Sequence, residues 1–137
     1  MSDVIQKLLT EVNDLRRRVG ALETIETTLS TMNVGAVNGG TGTSLTISSG
    51  EITVIYTYHA VDTSGGGSED LDTVNGGTHG DILILRAVNA SRTVVCKDGT
   101  GNLNLAGDFS LDNTQDLIVL LHTGGAWTEL SRSGNAA

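Results

Sequence analysis

Ile5, Leu8, Val12, Leu15, Val19 and Leu22 follow one another at alternating spacings of three and four residues. This is a heptad seam, with Ile5, Val12 and Val19 at a and Leu8, Leu15 and Leu22 at d. A single helix with so narrow an apolar stripe has little to bury itself against, so the pattern predicts that identical helices pack on one another. The flanking charges set the direction. In parallel strands Glu11 reaches Arg16 of a neighbour and Arg18 reaches Glu23, so both interstrand ion pairs attract. Each exposed pair contributes only about 0.2–1 kcal/mol, enough to choose between orientations but not to drive association.

Strand number is less tightly specified. β-branched residues at a with Leu at d favour two strands, whereas Arg18-Val-Gly-Ala-Leu-Glu23 is similar to the R-h-x-x-h-E pattern of short trimeric coiled coils. The reading adopted is a parallel homotrimer. Ser2 or Asp3 can cap the helix, with Asp3 favourable against the positive end of the dipole. Continuing the heptad puts Glu26 at a, where carboxylates would converge, before Leu29 returns to d and rejoins the interface. Thr24, Thr27, Thr28 and Thr31 lower helix propensity there, and Asn33 and Gly35 suit a C-terminal cap. The helix is expected to end near residue 32, making residues 1–33 a stalk or anchor of about 40 Å.

The 137 residues leave room beyond this stalk for one domain of about a hundred residues. Aromatic residues make up only 3% of the chain, so a core there must be built from Ile, Leu and Val, with burial between subunits making up the shortfall. Charge is uneven. Of the net charge of −8, residues 1–32 hold Lys7, Arg16, Arg17 and Arg18 against Asp3, Glu11, Asp14, Glu23 and Glu26, a net −1, so the remainder carries a net −7. An acidic globular part is repelled by nucleic acid and by anionic membrane surfaces, and neither is expected as a partner. No basic segment followed by an apolar run opens the sequence and no window of about 20 apolar residues occurs, so neither a signal peptide nor membrane insertion is expected. The single cysteine, Cys96, excludes an intrachain disulfide framework and reads as a small buried hydrophobe.

From residue 33 onward the period changes from 3.5 to 2. Residues 34–44 form a connector rich in Gly, Asn and Thr; Gly39-Gly-Thr-Gly-Thr-Ser44 has no lysine and no following helix, which argues against a phosphate-binding loop. Residues 45–137 are expected to form the β head. Strand patterns run over 44–49, 51–61, 70–74, 82–88, 92–97, 102–106, 109–112, 117–122 and 127–131, separated by turns such as Asn75-Gly76-Gly77 and Asp98-Gly99. Many short strands with tight turns predict an all-β head, a jelly-roll-like sandwich, with a trimeric β-prism or β-helix as the alternative. Ile82-Leu83-Ile84-Leu85 and Leu117-Ile118-Val119-Leu120-Leu121 are apolar on both faces, and the second face is expected to meet sister subunits.

Four segments, Ser49-Gly-Glu-Ile-Thr-Val-Ile-Tyr-Thr-Tyr-His-Ala-Val-Asp-Thr63, the run 70–87, the run 92–113 and Trp127-Thr-Glu-Leu-Ser-Arg-Ser133, give residues 49–133 a resemblance to the C-terminal β domain of tailed-bacteriophage virion surface proteins. The resemblance implies a structural virion protein, made in the host cytoplasm and carried on the virion surface. The first expectation is a short homotrimeric fibre or spike whose head contacts the host. The alternatives are a capsid decoration or cement protein or head fibre that stabilises the shell and, third, a glycan-cleaving spike. The long repetitive shaft and separate attachment domain of long tail fibres are missing from this sequence, so the N-terminal helices are expected to contact other virion proteins of capsid or tail. A host cell-surface glycan is a further candidate partner.

Residues with catalytic potential are sparse. There is no Gly-x-Ser-x-Gly elbow, His-Glu-x-x-His helix or dinucleotide fingerprint, and Glu69, Asp70 and Asp72 read as solvated turn acids. His59, His79 and His122 lack the spacing of a ligand pair. No catalytic residue, cofactor or metal ligand is assigned. Trp127 reads as a core or interface anchor, and Ser64, Gly65, Gly66, Gly67, Ser68 and Glu69 form the candidate exposed tip loop.

Overall fold

A computed structural model describes residues 2–30 and 42–135, with helix side chains described over residues 2–23. The protein is mostly β, with one N-terminal helix and stacked strands, and its chain divides into two compact units, Met1–Val37 and Asn38–Ala137.

In the first unit, helix α1 spans Ser2–Ser30, with Asp3 in its first turn. Asp14 and Arg17, one turn apart, form an exposed ion pair. The seam residues Ile5, Leu8, Val12, Leu15, Val19 and Leu22 are all between 41% and 61% exposed. Val4 and Leu9, at g and e, are equally bare and widen the stripe at the N-terminal end beyond the a and d positions read from the heptad. The Leu29 side chain, the expected helix end near residue 32 and the connector up to residue 41 lie outside the described residues.

The second unit contains β1 (Leu45–Thr46), β2 (Glu51–Thr53), β3 (Tyr58–Asp62), β4 (Ser68–Leu71), β5 (Thr73–Asn75), β6 (Ile82–Ala87), β7 (Thr93–Cys96), β8 (Leu103–Asn104), β9 (Phe109–Leu111), β10 (Leu117–His122) and β11 (Trp127–Ser133). They form a six-stranded sheet in the order β1-β3-β6-β10-β11-β8, a pair β2-β5 and a three-stranded sheet β4-β7-β9. The expected jelly-roll-like sandwich is corrected by the pairings. β1 with β3, β3 with β6, β2 with β5 and β4 with β7 are all parallel, whereas a jelly roll is antiparallel. Leu45 pairs with Val61 and Val61 with Ala87, while Ile52 pairs with Val74 and Leu71 with Cys96. Each pass of the chain therefore lays its strands on those of the pass before, which suggests a β-solenoid. Antiparallel strands finish the stack: β9 on β7, β10 on β6 and β11 on β10.

Two expected strands break where the stack turns a corner. The run 51–61 becomes β2 and β3, because residues 54–57 leave one sheet for another. The run 70–74 divides at Asp72, where the amides of Asp72 and Thr73 both donate to the Gly50 carbonyl, at 2.8 and 3.1 Å. The Asn102 side chain replaces a strand at its own corner: its amide nitrogen donates to Val74 O at 2.8 Å and its oxygen accepts from Val74 N at 2.9 Å.

The core is aliphatic, as the composition requires, and is centred on Val61, Leu71, Leu83, Leu85, Leu111, Ile118 and Leu120, all at 1% exposure or less. Trp127 is its one large aromatic residue, and the indole Nε1 donates to Val74 O at 3.1 Å, which satisfies the polar atom that burial would otherwise strand. Cys96 is buried too, and desolvation pushes its thiol up to about 12. Asp116 is the one buried carboxylate among the described residues. Burial raises its pKa, but amide donors from Asn135, Asp112 and Asn113 outweigh this and hold it below the ordinary value.

Candidate functional site

Strand alternation divides the residues of β6 and β10 between two faces. Leu83, Leu85 and Ala87, with Ile118 and Leu120, enter the core. Ile82, Ile84 and Arg86, with Leu117, Val119 and Leu121, occupy the other face and are half-buried or exposed. The register sets Ile84 against Val119 on one side and Tyr58 on the other, Ile82 against Leu121, and Arg86 against Leu117. The two runs that are apolar on both faces thus bury one face within their own chain and leave the other open.

Arg86 is the exception on this apolar face. Its guanidinium donates to Tyr58 Oη, Ala87 O and Thr114 O, all uncharged. The other three bases of the head have carboxylate partners: Arg92 with Asp62, Lys97 with Asp108 and Arg132 with Glu129. These contacts hold all three carboxyls below their ordinary values, the hydrogen bond from the base being the leading cause in each.

A cavity of about 260 Å³ opens at the Ile82 end of the same face. Trp127 and Val54 lie at its buried side, and Ile55, Tyr56, Asp81 and Ile82 stand at its exposed side. Ile55 is 72% exposed and Tyr56 47%, and with Ile82 and Leu130 they are the exposed large hydrophobics among the described head residues. Its wall is held from behind by His59, which is fully buried. Nε2 of His59 accepts from the amides of Ile55 and Tyr56 at 3.3 and 3.2 Å, which leaves Nδ1 to donate to Thr43 O at 3.1 Å. Gly77 packs against the floor at a positive φ of 83°; a Cβ there would stand 2.5 Å from Trp127 Cζ2, so both conformation and space require glycine. Asp81 Oδ2 accepts from Thr78 N and Oγ1 at 2.8 and 3.1 Å, closing the turn that leads into β6.

The candidate tip loop is shorter than its sequence suggested. Ser64, Gly65, Gly66 and Gly67 are exposed, but Ser68 and Glu69 already belong to β4. Glu69 closes the loop, accepting from Ser64 N at 2.6 Å and from Ser64 Oγ at 2.9 Å. Glu69 is thereby separated in role from Asp70 and Asp72. Glu11, Arg16, Arg18 and Glu23 are exposed along α1, as are all its described side chains but Asp14.

Sequence reasoning missed the pocket because its parts come from three segments, around residues 55, 82 and 127, brought together by the parallel stacking of β3 on β6 and the antiparallel return through β10. It also missed the role of His59, whose partners lie within its own head and occupy both ring nitrogens. The apolar character of Ile55 and Tyr56 was visible, but strict alternation assigned them to opposite faces of one long strand. Of the two roles expected for Trp127, core or interface anchor, the structure shows the first. Among the described residues, no three His, Cys, Asp or Glu side chains converge as metal ligands, and no helix is long and apolar enough to cross a membrane. No protein-family model matches the chain, and comparison with curated proteins finds no match.

Proposed function

We propose that this chain is a structural virion surface protein of a tailed phage, a short homotrimeric fibre or spike with a parallel coiled-coil stalk and a β-solenoid head. The observation that carries the reading is the stripe of seam residues on α1, each at least 41% exposed in the single chain. Eight exposed large apolar residues on one helix are costly in water, and three parallel copies would bury them against one another. Val4 and Leu9 support three strands over two, because a stripe wider than a and d suits a bundle of more than two helices. The same helices are the surface proposed to meet other virion proteins, and the bare Ser64–Gly67 loop and the pocket beside Tyr56 are the proposed contacts with the host surface, a glycan being the candidate there.

Mass measurement of the purified chain in solution tests the first element, with a trimer expected and a monomer at all concentrations refuting it. Purified trimer is expected to bind susceptible cells and to compete with phage adsorption. Cryo-electron microscopy of intact particles is expected to place it at the tail; density on the shell would move the reading to a capsid decoration protein or head fibre.

A further inference from the structure

We propose that the cavity lined by Tyr56, Thr57 and Asp81 takes a single amino-sugar ring, its charged amino group held by the Asp81 carboxylate. The proposal deepens the reading of this pocket as a host contact and rests on it for the class of partner, a glycan.

Size limits the ligand first. At about 260 Å³ the cavity falls below the roughly 300–1,000 Å³ of sites for drug-sized ligands, so it has room for one ring and not for a chain. Its lining is of two kinds. Val54, Ile55, Ile82 and Trp127 are apolar and Tyr56 adds an exposed aromatic ring, surfaces that suit the C–H face of a sugar. Thr57 and Asp81 are polar and only partly used by the fold. The Thr57 carbonyl accepts from Ile84 N at 2.7 Å, whereas its amide and hydroxyl have no partner among the described residues. Both contacts of the Asp81 carboxylate, from Thr78 N and Oγ1, fall on Oδ2, and Oδ1 has no partner among the described residues. The wall is set in advance: the amides of Ile55 and Tyr56 donate to His59 without any ligand, which lowers the ordering cost of binding.

Charge narrows the class. Asp81 is the one charged residue of the lining, and no base among the described residues pairs with it. Arg86 lies four residues past Ile82, about 13 Å along β6, and its guanidinium donates to Tyr58 Oη, Ala87 O and Thr114 O. The described head residues carry eleven carboxylates and four bases, three of the bases already paired, so the field around the head draws cations and repels anions. An acidic sugar would set its carboxylate against Asp81, and a neutral one would leave that charge unanswered. A lysine side chain offers the same ammonium group, but its unbranched stem brings no hydroxyl to the Thr57 amide and hydroxyl. An amino sugar meets all three surfaces: a ring face for Tyr56, hydroxyls for Thr57 and a cation for Asp81.

The test titrates glucosamine, glucose and glucuronate into the full chain at neutral pH and low salt, with amide NMR shifts of Thr57 and Asp81 and the indole signal of Trp127, the single tryptophan, as readouts. Glucosamine is expected to bind about fivefold more tightly than glucose, the upper scale for an exposed ion pair, and glucuronate to leave the signals in place. Asp81→Asn keeps an oxygen for Thr78 and so preserves the turn; it is expected to make glucosamine and glucose equal. Tyr56→Ala is expected to weaken both sugars by a similar factor and leave their ratio unchanged. Thermal unfolding checks that each variant keeps its β head. Equal binding of glucosamine and glucose to the unaltered chain overturns the proposal, as does a preference for glucosamine that survives Asp81→Asn. Tighter binding of Nα-acetyl-lysine amide than of glucosamine also overturns it, in favour of a protein side chain. If none of these compounds shifts the signals while the purified chain still binds susceptible cells, the proposal falls and the host-contact reading stands. Glucosamine binding with the expected Asp81 dependence, in a chain that does not bind susceptible cells, upholds the site and refutes the host-contact reading.

Discussion

The helix and the head solve the problem of apolar surface in opposite ways. The head buries Ile47, Leu71, Leu85, Ile118 and Trp127 within one chain, each at 1% exposure or less, and gives every buried side-chain polar atom a partner among the described residues. The helix buries none of its described side chains: every residue from Ser2 to Glu23 is exposed except Asp14, which is half-buried. The head therefore carries its stability within itself, as a unit with its own core. The helix has capping, local ion pairs and propensity alone until another helix arrives, and these leave an isolated helix of this length marginal in water. Concentration should accordingly govern one region and hardly touch the folding of the other.

The hardest way to break this contrast is from the head side. Trp127→Ala removes the largest core side chain and the donor to Val74 O, and is expected to cost about 3–5 kcal/mol, lowering the head's thermal midpoint while the helical signal at a given concentration is unchanged. A variant that loses helix and head together would show that the two regions do not fold independently. His59→Ala comes next. It leaves the amides of Ile55 and Tyr56 and the carbonyl of Thr43 without their shared partner, with an expected loss of about 1–3 kcal/mol read by denaturant unfolding.

Acid provides a graded test. Asp62, Asp108, Asp116 and Glu129 all titrate below their ordinary values in the folded head, so the unfolded chain takes up protons first as pH falls. Their contribution is complete above the unfolded carboxylate range, about pH 4, and is lost as pH drops through the lower folded values. Unfolding midpoints should be level from neutral pH to about pH 5 and fall below about pH 4, and Asp116→Asn should flatten that fall. The smallest effect belongs to the helix. Arg17→Ala removes an exposed pair one turn from Asp14 and should change helicity by no more than about 0.5 kcal/mol, visible only where the helix is not fully assembled.

Local pattern accounts for much of what was legible in the sequence. The heptad marks α1, and β6, β10 and β11 fall on runs that alternation or β-branched content had marked, because these signals lie within a few neighbouring residues. The pairing of Leu45 with Val61 and of Val61 with Ala87 has no such local mark. Antiparallel hairpins advertise themselves through their turns, whereas a parallel return depends on how much chain the corners absorb. The break at residues 54–57 escaped notice for a related reason, since the side chain that organises it, His59, lies in the strand that follows. On the helix, attention to a and d passed over Val4 and Leu9, whose apolar character was in plain view. The candidate site divides the same way: the apolar rows of β6 and β10 were legible, and the pocket assembled from three distant segments was not.

The buried sulfur of Cys96 has a practical consequence. A thiol pushed up to about 12 holds almost no thiolate at neutral pH, and the surrounding core denies access to electrophiles. Alkylation of the native protein can then proceed only when the strand carrying it opens. The single cysteine of the chain is a built-in clock for that opening, and it leaves the folded surface blank for a reporter cysteine placed anywhere else.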